Sequence, residues 1–174
     1  SDPALDAEIR TQFRPVYDAA VAGELGSWEQ TARGTLALIV LLDQFPRNMF
    51  RGTPQAFAED AAAQRLCLEG LEQGLDAQLS PVERGFFCMP LQHAEIPHLQ
   101  DISVQQYERL LRECEPEWKP LVRGMLKYAR EHRDIIRRFG RFPHRNAILG
   151  RASTMEERDF LAEGGPDYGQ RLEE

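Results

Sequence analysis

The stretch LALIVLLDQFPRNMFRG, from Leu36 to Gly52, joins an apolar segment to a polar turn. Its apolar residues recur at the spacing of one helix face, at Leu36, Ile39, Val40 and Leu42. A proline disfavours the helical conformation in the residue before it. We therefore expect this helix to end near Phe45, and we expect Asn48 to adopt a left-handed turn conformation.

The same helical pattern extends over the rest of the chain, and no segment alternates with the period of a strand. We predict seven helices, at about residues 4–22, 28–45, 54–73, 81–93, 102–114, 117–139 and 154–163. Because their connections are short, we predict an all-α fold of stacked antiparallel helical hairpins. We also predict a single domain over residues 1–174, in which 162–174 form a loosely ordered tail held only where Tyr168 docks.

Local signals mark where several of these helices begin and end. Ser80-Pro81-Val82-Glu83 and Ser153-Thr154-Met155-Glu156 both match the capping box that starts a helix. Thr53-Pro54 is a third start signal, because it joins a capping residue to a proline. Four glycines lie where helices are expected to end, namely Gly70, Gly74, Gly140 and Gly164.

The composition is typical of a globular chain rather than a disordered one, since 42% of the residues are hydrophobic and 28% are charged. The formal net charge of -7 argues against a general partner of nucleic acid or of an anionic membrane. Cys67, Cys88 and Cys114 are widely spaced, which indicates reduced thiols and not a disulfide or zinc site. With no recognisable signal peptide or membrane-spanning run, we expect a cytoplasmic protein.

A second stretch, FGRFPHRNAILGR from Phe139 to Arg151, repeats the Phe-Pro, Arg-Asn and final Arg of the first. Helix exits and turns explain the glycine, proline and asparagine in both stretches. They do not explain the arginines, of which five fall in the acid-free segment from Ile135 to Met155, namely Arg137, Arg138, Arg141, Arg145 and Arg151.

Two interpretations of these arginines stay open. In one, they form with His144 a pocket for an anionic group, which Arg47 and Arg51 join if the two Phe-Pro turns meet. In the other, they tie the turns to buried acids such as Asp43 and Glu95, because a buried arginine needs a partner. The two interpretations are compatible.

Further candidates lie in FFCMPLQHAEIPHLQ, from Phe86 to Gln100, and in YAREHRDIIRRFG, from Tyr128 to Gly140. His93 and Glu95 could do acid-base chemistry, and His132 could join them beside an arginine of the second stretch. The spacing of His93 and Glu95 places them about 200° apart on a helix, so we predict no metal site. No nucleophile elbow and no phosphate loop is present.

Three segments resemble the bacterial family catalogued as domain of unknown function 924: LALIVLLDQFPRNMFRGTPQAFAEDAAA, FFCMPLQHAE and HRDIIRRFGRFPHRNAILGRASTMEERDFL. The resemblance covers roughly residues 5 to 162 and implies a tetratricopeptide-like, all-helical fold of uncharacterised function. Family members usually have serine between the histidine and the glutamate of the second segment, where this chain has Ala94.

The leading functional hypothesis is a binding protein with an arginine- and histidine-lined groove for an anionic small molecule or a peptide carboxylate, with no cofactor. Its predicted binding residues are Arg47, Asn48, Arg51, His93, Glu95, His132, Arg141, His144, Arg145, Asn146 and Arg151. One alternative is an enzyme for an anionic substrate, with His93 or His132 as the acid-base group and Glu95 orienting it. Another is an interaction scaffold whose motifs are purely structural, and the oligomeric state is not predicted.

Overall fold

The computed structural model describes residues 2–170, and within them the chain forms helices and turns without any strand. This confirms the predicted all-α class. Helices α1 to α7 are, in order, Pro3–Val21; the consecutive segments Ala32–Ile39, Val40–Gln44 and Phe45–Met49; Asp60–Glu72; Pro81–Gln92; Pro97–Glu113; Lys119–Phe139; and Met155–Ala162. In this part of the chain no helix is long and apolar enough to cross a membrane.

Helices that follow one another in the chain pack against one another from α1 to α6. A large core of buried residues joins α1 to α4, with Ile39, Met49 and Phe87 almost fully enclosed. Tyr107 and Leu126 continue this core between α5 and α6. The tetratricopeptide-like arrangement and the single-domain assignment stay predictions, and residues 171–174 of the predicted tail lie outside the described residues.

The sequence predicts that the second helix ends near Phe45. In the structure it continues through Pro46 to Met49. The segment Val40–Gln44 is a π-turn, in which the Phe45 N–H donates to the Val40 carbonyl. A wider turn relieves the clash between a proline ring and the carbonyl of the residue four positions earlier. Asn48 is therefore helical, and the left-handed conformation falls instead on Gly52, with φ 74°.

The start signals are correct for one helix and displaced for others. The Ser80 capping box is present, and both of its hydrogen bonds to Glu83 form. The box at α7 lies one residue later than predicted, because Thr154 caps the helix with Glu157. Arg141 binds the Glu157 carboxylate at 2.6 and 2.8 Å, which favours this register.

Three further boundaries differ from the predictions. Thr53 precedes a short 3-10 turn, Pro54–Phe57, so α3 begins only at Asp60. Helix α5 begins at Pro97 rather than at residue 102, since a proline is well tolerated where the N–H has no helical partner. Gly70 does not end a helix but lies inside α3, where its side-chain-free face contacts the Phe87 ring.

Candidate functional site

The two Phe-Pro segments, residues 43–52 and 139–151, meet at Asp60, the first residue of α3. Arg47, near the end of α2, donates to both Asp60 carboxylate oxygens at 2.9 and 3.1 Å. Arg145, from the 3-10 turn Pro143–Arg145, donates to the same carboxylate at 3.2 Å. Acid pairing thus brings together arginines that are distant in sequence.

A pocket of about 310 Å³ opens beside this meeting point. Its described lining includes three arginines and three histidines but no aspartate or glutamate. The lining consists of Gln44, Arg47, Asn48, Arg51, Phe57, Met89, Gln92, His93, Tyr128, His132, His144, Arg145, Tyr168 and Gln170. The lining therefore presents many hydrogen-bond donors, while the acids lie behind it.

Each lining arginine is held by an acid. Arg51 donates to the Asp6 carboxylate at 2.6 and 2.9 Å and to the Gly169 carbonyl at 2.5 Å. Asn48 donates to the same Asp6 carboxylate at 2.8 Å. These bonds fix the direction of the Arg51 guanidinium before any ligand arrives.

Arg145 is the most enclosed of the three, with only 6% of its surface exposed. Its guanidinium lies over the rings of Phe57 and Phe142, at 4.5 and 4.7 Å from their centroids. Burial, together with the nearby Arg47 charge, lowers the Arg145 pKa to about 10. It therefore remains a cation at neutral pH.

Asp43 is completely buried and orients His93. The His93 Nδ1 atom lies 2.8 and 3.0 Å from the two Asp43 carboxylate oxygens. Burial raises the pKa of Asp43, but Arg47 and His93 outweigh burial and hold that pKa well below its usual range. Because an ionised carboxylate only accepts hydrogen bonds, Nδ1 carries the proton and Nε2 of the neutral ring carries a lone pair.

The His93 Nε2 atom makes no hydrogen bond within the described chain. The His93 side chain lines the pocket and is 14% exposed, so water can reach the ring. Burial lowers the pKa of His93, Asp43 opposes that effect, and Arg47 reinforces it. At neutral pH the ring is therefore uncharged and able to accept a proton.

His132 and His144 are also neutral. The His132 Nδ1 atom donates to the Tyr128 carbonyl at 2.8 Å, and its ring stacks on Tyr168 with centroids 4.1 Å apart. Burial and His93 lower the His132 pKa to about 3. Burial and Arg145 lower the His144 pKa to about 3. For both rings burial is the largest cause, and the nearby arginines add to it.

Four predicted site residues lie outside the pocket lining and stabilise the second Phe-Pro segment, namely Glu95, Arg141, Asn146 and Arg151. Arg151 donates to both Glu95 oxygens at 2.6 and 2.9 Å, and Glu95 also accepts the Phe142 N–H at 2.7 Å. Asn146 accepts from Arg151 at 3.0 Å and donates to Ser153 at 3.1 Å.

The sequence suggests that Glu95 orients His93, but the structure shows that it does not. The Glu95 oxygens bind Arg151 and the Phe142 N–H, and Asp43 holds the His93 imidazole. The predicted alignment of Glu95 with His132 is likewise not among the described contacts. No group of three metal-ligating side chains occurs in residues 2–170.

Three contributors to the site are not predicted from the sequence in the roles that they have in the structure. The sequence predicts Asp43 only as an arginine partner, although its position in DQFPRN is a usable signal. Asp60 has no sequence feature that distinguishes it from other acids. Gln170, which donates to the Arg47 carbonyl at 3.0 Å, lies in the segment predicted to be loosely ordered.

The fold and the site together define a small all-α protein with an arginine- and histidine-lined pocket between two related Phe-Pro segments. The chain belongs to the family of bacterial proteins of unknown function DUF924, which matches residues 1–165. It is similar to the solved structure of ATU0120, a protein of unknown function from Agrobacterium tumefaciens, with 42% identity and a TM-score of 0.82. That match covers 94% of this chain and 86% of the other. No curated protein matches the chain.

Proposed function

We propose that the chain binds a small organic anion through a carboxylate group in the pocket between the two Phe-Pro segments. The observation that carries this proposal is the described lining, which has three arginines, three histidines and no acid in a chain of net charge -7. Arginine side chains fixed in advance by acids lose little freedom when a carboxylate binds.

The charge balance favours a singly charged carboxylate over a phosphate. Arg47, Arg51 and Arg145 are each already paired with Asp43, Asp60 or Asp6. The pocket therefore offers donors without a large excess of positive charge. A carboxylate needs those donors, whereas a doubly charged phosphate also needs uncompensated charge.

The size of the pocket favours a short ligand. A volume of about 310 Å³ lies at the small end of the range for ligand sites. We therefore favour a small carboxylic acid over an extended peptide. The free and buried thiols of Cys67, Cys88 and Cys114 suit a reducing compartment, so we place this activity in the cytoplasm.

Adipate titration followed by NMR of the histidine C2–H resonances tests the proposal. A bound carboxylate raises the pKa of nearby imidazoles. The C2–H resonances of His93, His132 and His144 should therefore shift when adipate is added at about pH 5. His98 is exposed and lies outside the pocket lining, which makes it an internal control. Equal shifts of all four histidines, or none, would contradict the proposal, and saturation by phosphate at equal ionic strength would contradict the carboxylate preference.

A matched pair of variants separates binding from stability. Arg51 and Arg141 both pair with a buried acid at 2.6 Å and both bind a backbone carbonyl, but only Arg51 lines the pocket. Arg51→Gln and Arg141→Gln should both lower the melting temperature. Only Arg51→Gln should weaken adipate binding, by about tenfold or more. An equal loss of affinity in both variants would favour the purely structural interpretation of the motifs.

A further inference from the structure

We propose that Asp43 and His93 form a catalytic pair in which His93 activates water to hydrolyse an ester whose acyl chain carries a carboxylate. This inference rests on the proposed carboxylate site, because the arginines would hold the substrate beside the base. It adds a reaction to what would otherwise be only a binding pocket.

The pair has the geometry of an oriented general base. Both Asp43 oxygens lie within 3.0 Å of the His93 Nδ1 atom, so the ring is fixed with its Nε2 lone pair accessible to water. The Arg145 guanidinium holds the backbone of the same residue by donating to the His93 carbonyl at 3.1 Å. A general base needs this combination of fixed orientation and open access.

The lining also indicates which nucleophile is used. The described lining residues include no serine, threonine or cysteine. No group of three or more histidine, cysteine, aspartate or glutamate side chains that could hold a metal ion occurs in the described chain either. Water that loses a proton to His93 is therefore the nucleophile that these residues support.

The reaction balances with water as the only added reactant. His93 Nε2 removes a proton from water as the water oxygen bonds to the ester carbonyl carbon. The resulting oxyanion accepts hydrogen bonds from a lining arginine that does not hold the substrate carboxylate. The tetrahedral intermediate then breaks its bond to the leaving alcohol, which takes the proton from Nε2, so the products are a dicarboxylic acid and an alcohol.

The neighbouring histidines restrict the leaving group. Burial lowers the pKa values of His132 and His144 to about 3, so near neutral pH neither ring carries an imidazolium proton to give to the leaving group. The proton on His93 is then the main source for the leaving group. An ester, whose alcohol leaves with little protonation, fits this pocket better than an amide.

The 4-nitrophenyl half-ester of adipic acid is the test substrate, and 4-nitrophenyl hexanoate is its control with an acyl chain of equal length and no carboxylate. We expect the protein to hydrolyse the half-ester faster than free imidazole does, and to prefer it over the hexanoate. Hydrolysis no faster than with free imidazole, or without preference for the half-ester, would overturn the inference.

One variant and its control test the role of His93. His93→Gln should lower kcat/KM by about 100-fold or more, while adipate still shifts the His132 and His144 resonances. His98→Gln should leave the rate unchanged. A His93→Gln protein with full activity would contradict the assignment. If adipate binds but no ester is hydrolysed, this inference fails and the binding function stands, whereas loss of adipate binding removes both.

Asp43→Asn tests the positioning role through the pH profile. The groups that act on His93 are Asp43, Arg47, Asp60, His132, His144 and Arg145. In the native protein kcat/KM should rise with pH and reach its plateau before about pH 6.5, because burial lowers the His93 pKa. Asp43→Asn should lower kcat. It should also move the rising limb of the pH profile to lower pH, since it removes the negative charge that raises the His93 pKa. A rate loss with an unmoved limb would contradict the role.

Discussion

At the scale of one residue, the buried Asp43 carboxylate explains why Gln44 and Arg47 lie beside it in the first Phe-Pro segment. A carboxylate without solvent exposure is costly unless several partners satisfy it. The Gln44 amide and the His93 imidazole both bind its oxygens, and Arg47 lies 3.4 Å away. Arg47 also donates to the Asp43 carbonyl at 2.6 Å. The motif DQFPRN thus supplies two of the partners that its own buried acid requires.

His132 makes a testable contribution to the dependence of stability on pH. Its pKa is about 3 in the folded protein and ordinarily 6.5, so below pH 6.5 the unfolded chain binds a proton that the folded chain does not. The contribution of the neutral His132 ring to the free energy of unfolding is fully present above pH 6.5 and is lost as the pH falls towards 3. Between pH 6.5 and about pH 5 the native protein should lose about 2 kcal/mol more than the His132→Asn variant.

Urea unfolding at a series of pH values measures this difference. Asparagine keeps a donor for the Tyr128 carbonyl, and His98→Gln serves as the control because His98 is exposed. His98→Gln should follow the native curve. Parallel curves for the native protein and His132→Asn would show that His132 is not held neutral.

At the scale of the element, helices α6 and α2 accommodate their Phe-Pro sequences in different ways. Helix α6 is capped by Gly140, whose φ of 71° turns the chain two residues before Phe142. Helix α2 instead passes its proline by means of a π-turn that contains Asp43. The two segments have similar sequences, but one lies inside a helix and the other follows one.

Gly124, inside α6, and Gly140, which caps its C-terminal end, provide a matched test of this helix end. A Cβ atom would meet no neighbour within 4 Å at either Gly124 or Gly140, so only backbone conformation distinguishes them. Gly140→Ala should destabilise the protein by about 1 kcal/mol, because alanine is strained at positive φ. Gly124→Ala should stabilise it by about 0.5–1 kcal/mol, since alanine favours a helix interior. Chemical denaturation measures both, and equal effects would contradict this explanation.

At the scale of the whole molecule, the C-terminal residues complete the pocket. Tyr168 stacks on His132, Arg51 binds the Gly169 carbonyl, and Gln170 binds the Arg47 carbonyl. Tyr168 also has a φ of 51° and a buried hydroxyl without a hydrogen-bond partner in the described chain. Both features oppose the packing of Tyr168 against His132, so the contacts that residues 168–170 make with distant parts of the chain must outweigh them.

Tyr168→Ala should therefore expose His132 and raise its pKa from about 3 towards 6.5, because burial is the main cause of the lowering. An NMR titration of the His132 C2–H resonance measures this change. Tyr128→Ala is the control, since the Tyr128 side chain lines the same pocket but is 56% exposed. An unchanged His132 pKa in Tyr168→Ala would show that the segment does not enclose the ring.

Helix boundaries illustrate how far local signals can be followed. The Ser80 box and the end of α6 at Gly140 were predictable, because each depends on neighbouring residues alone. The passage of α2 through Pro46 was not, because a π-turn inside the helix accommodates the proline. The start of α7 was displaced, because Arg141 selects Glu157 instead of Glu156 as the capping acid.

The sequence by itself determined the all-α class, the positions of most helices and the segments in which the chemistry-bearing residues lie, because periodicity and capping are local properties. Only the tertiary structure decided how those residues are used. Asp60 joins the two Phe-Pro segments, Asp43 instead of Glu95 holds His93, and Tyr168 covers His132. These choices depend on which acid or ring lies within a few ångströms of a cation or an imidazole, and packing of distant segments sets that proximity.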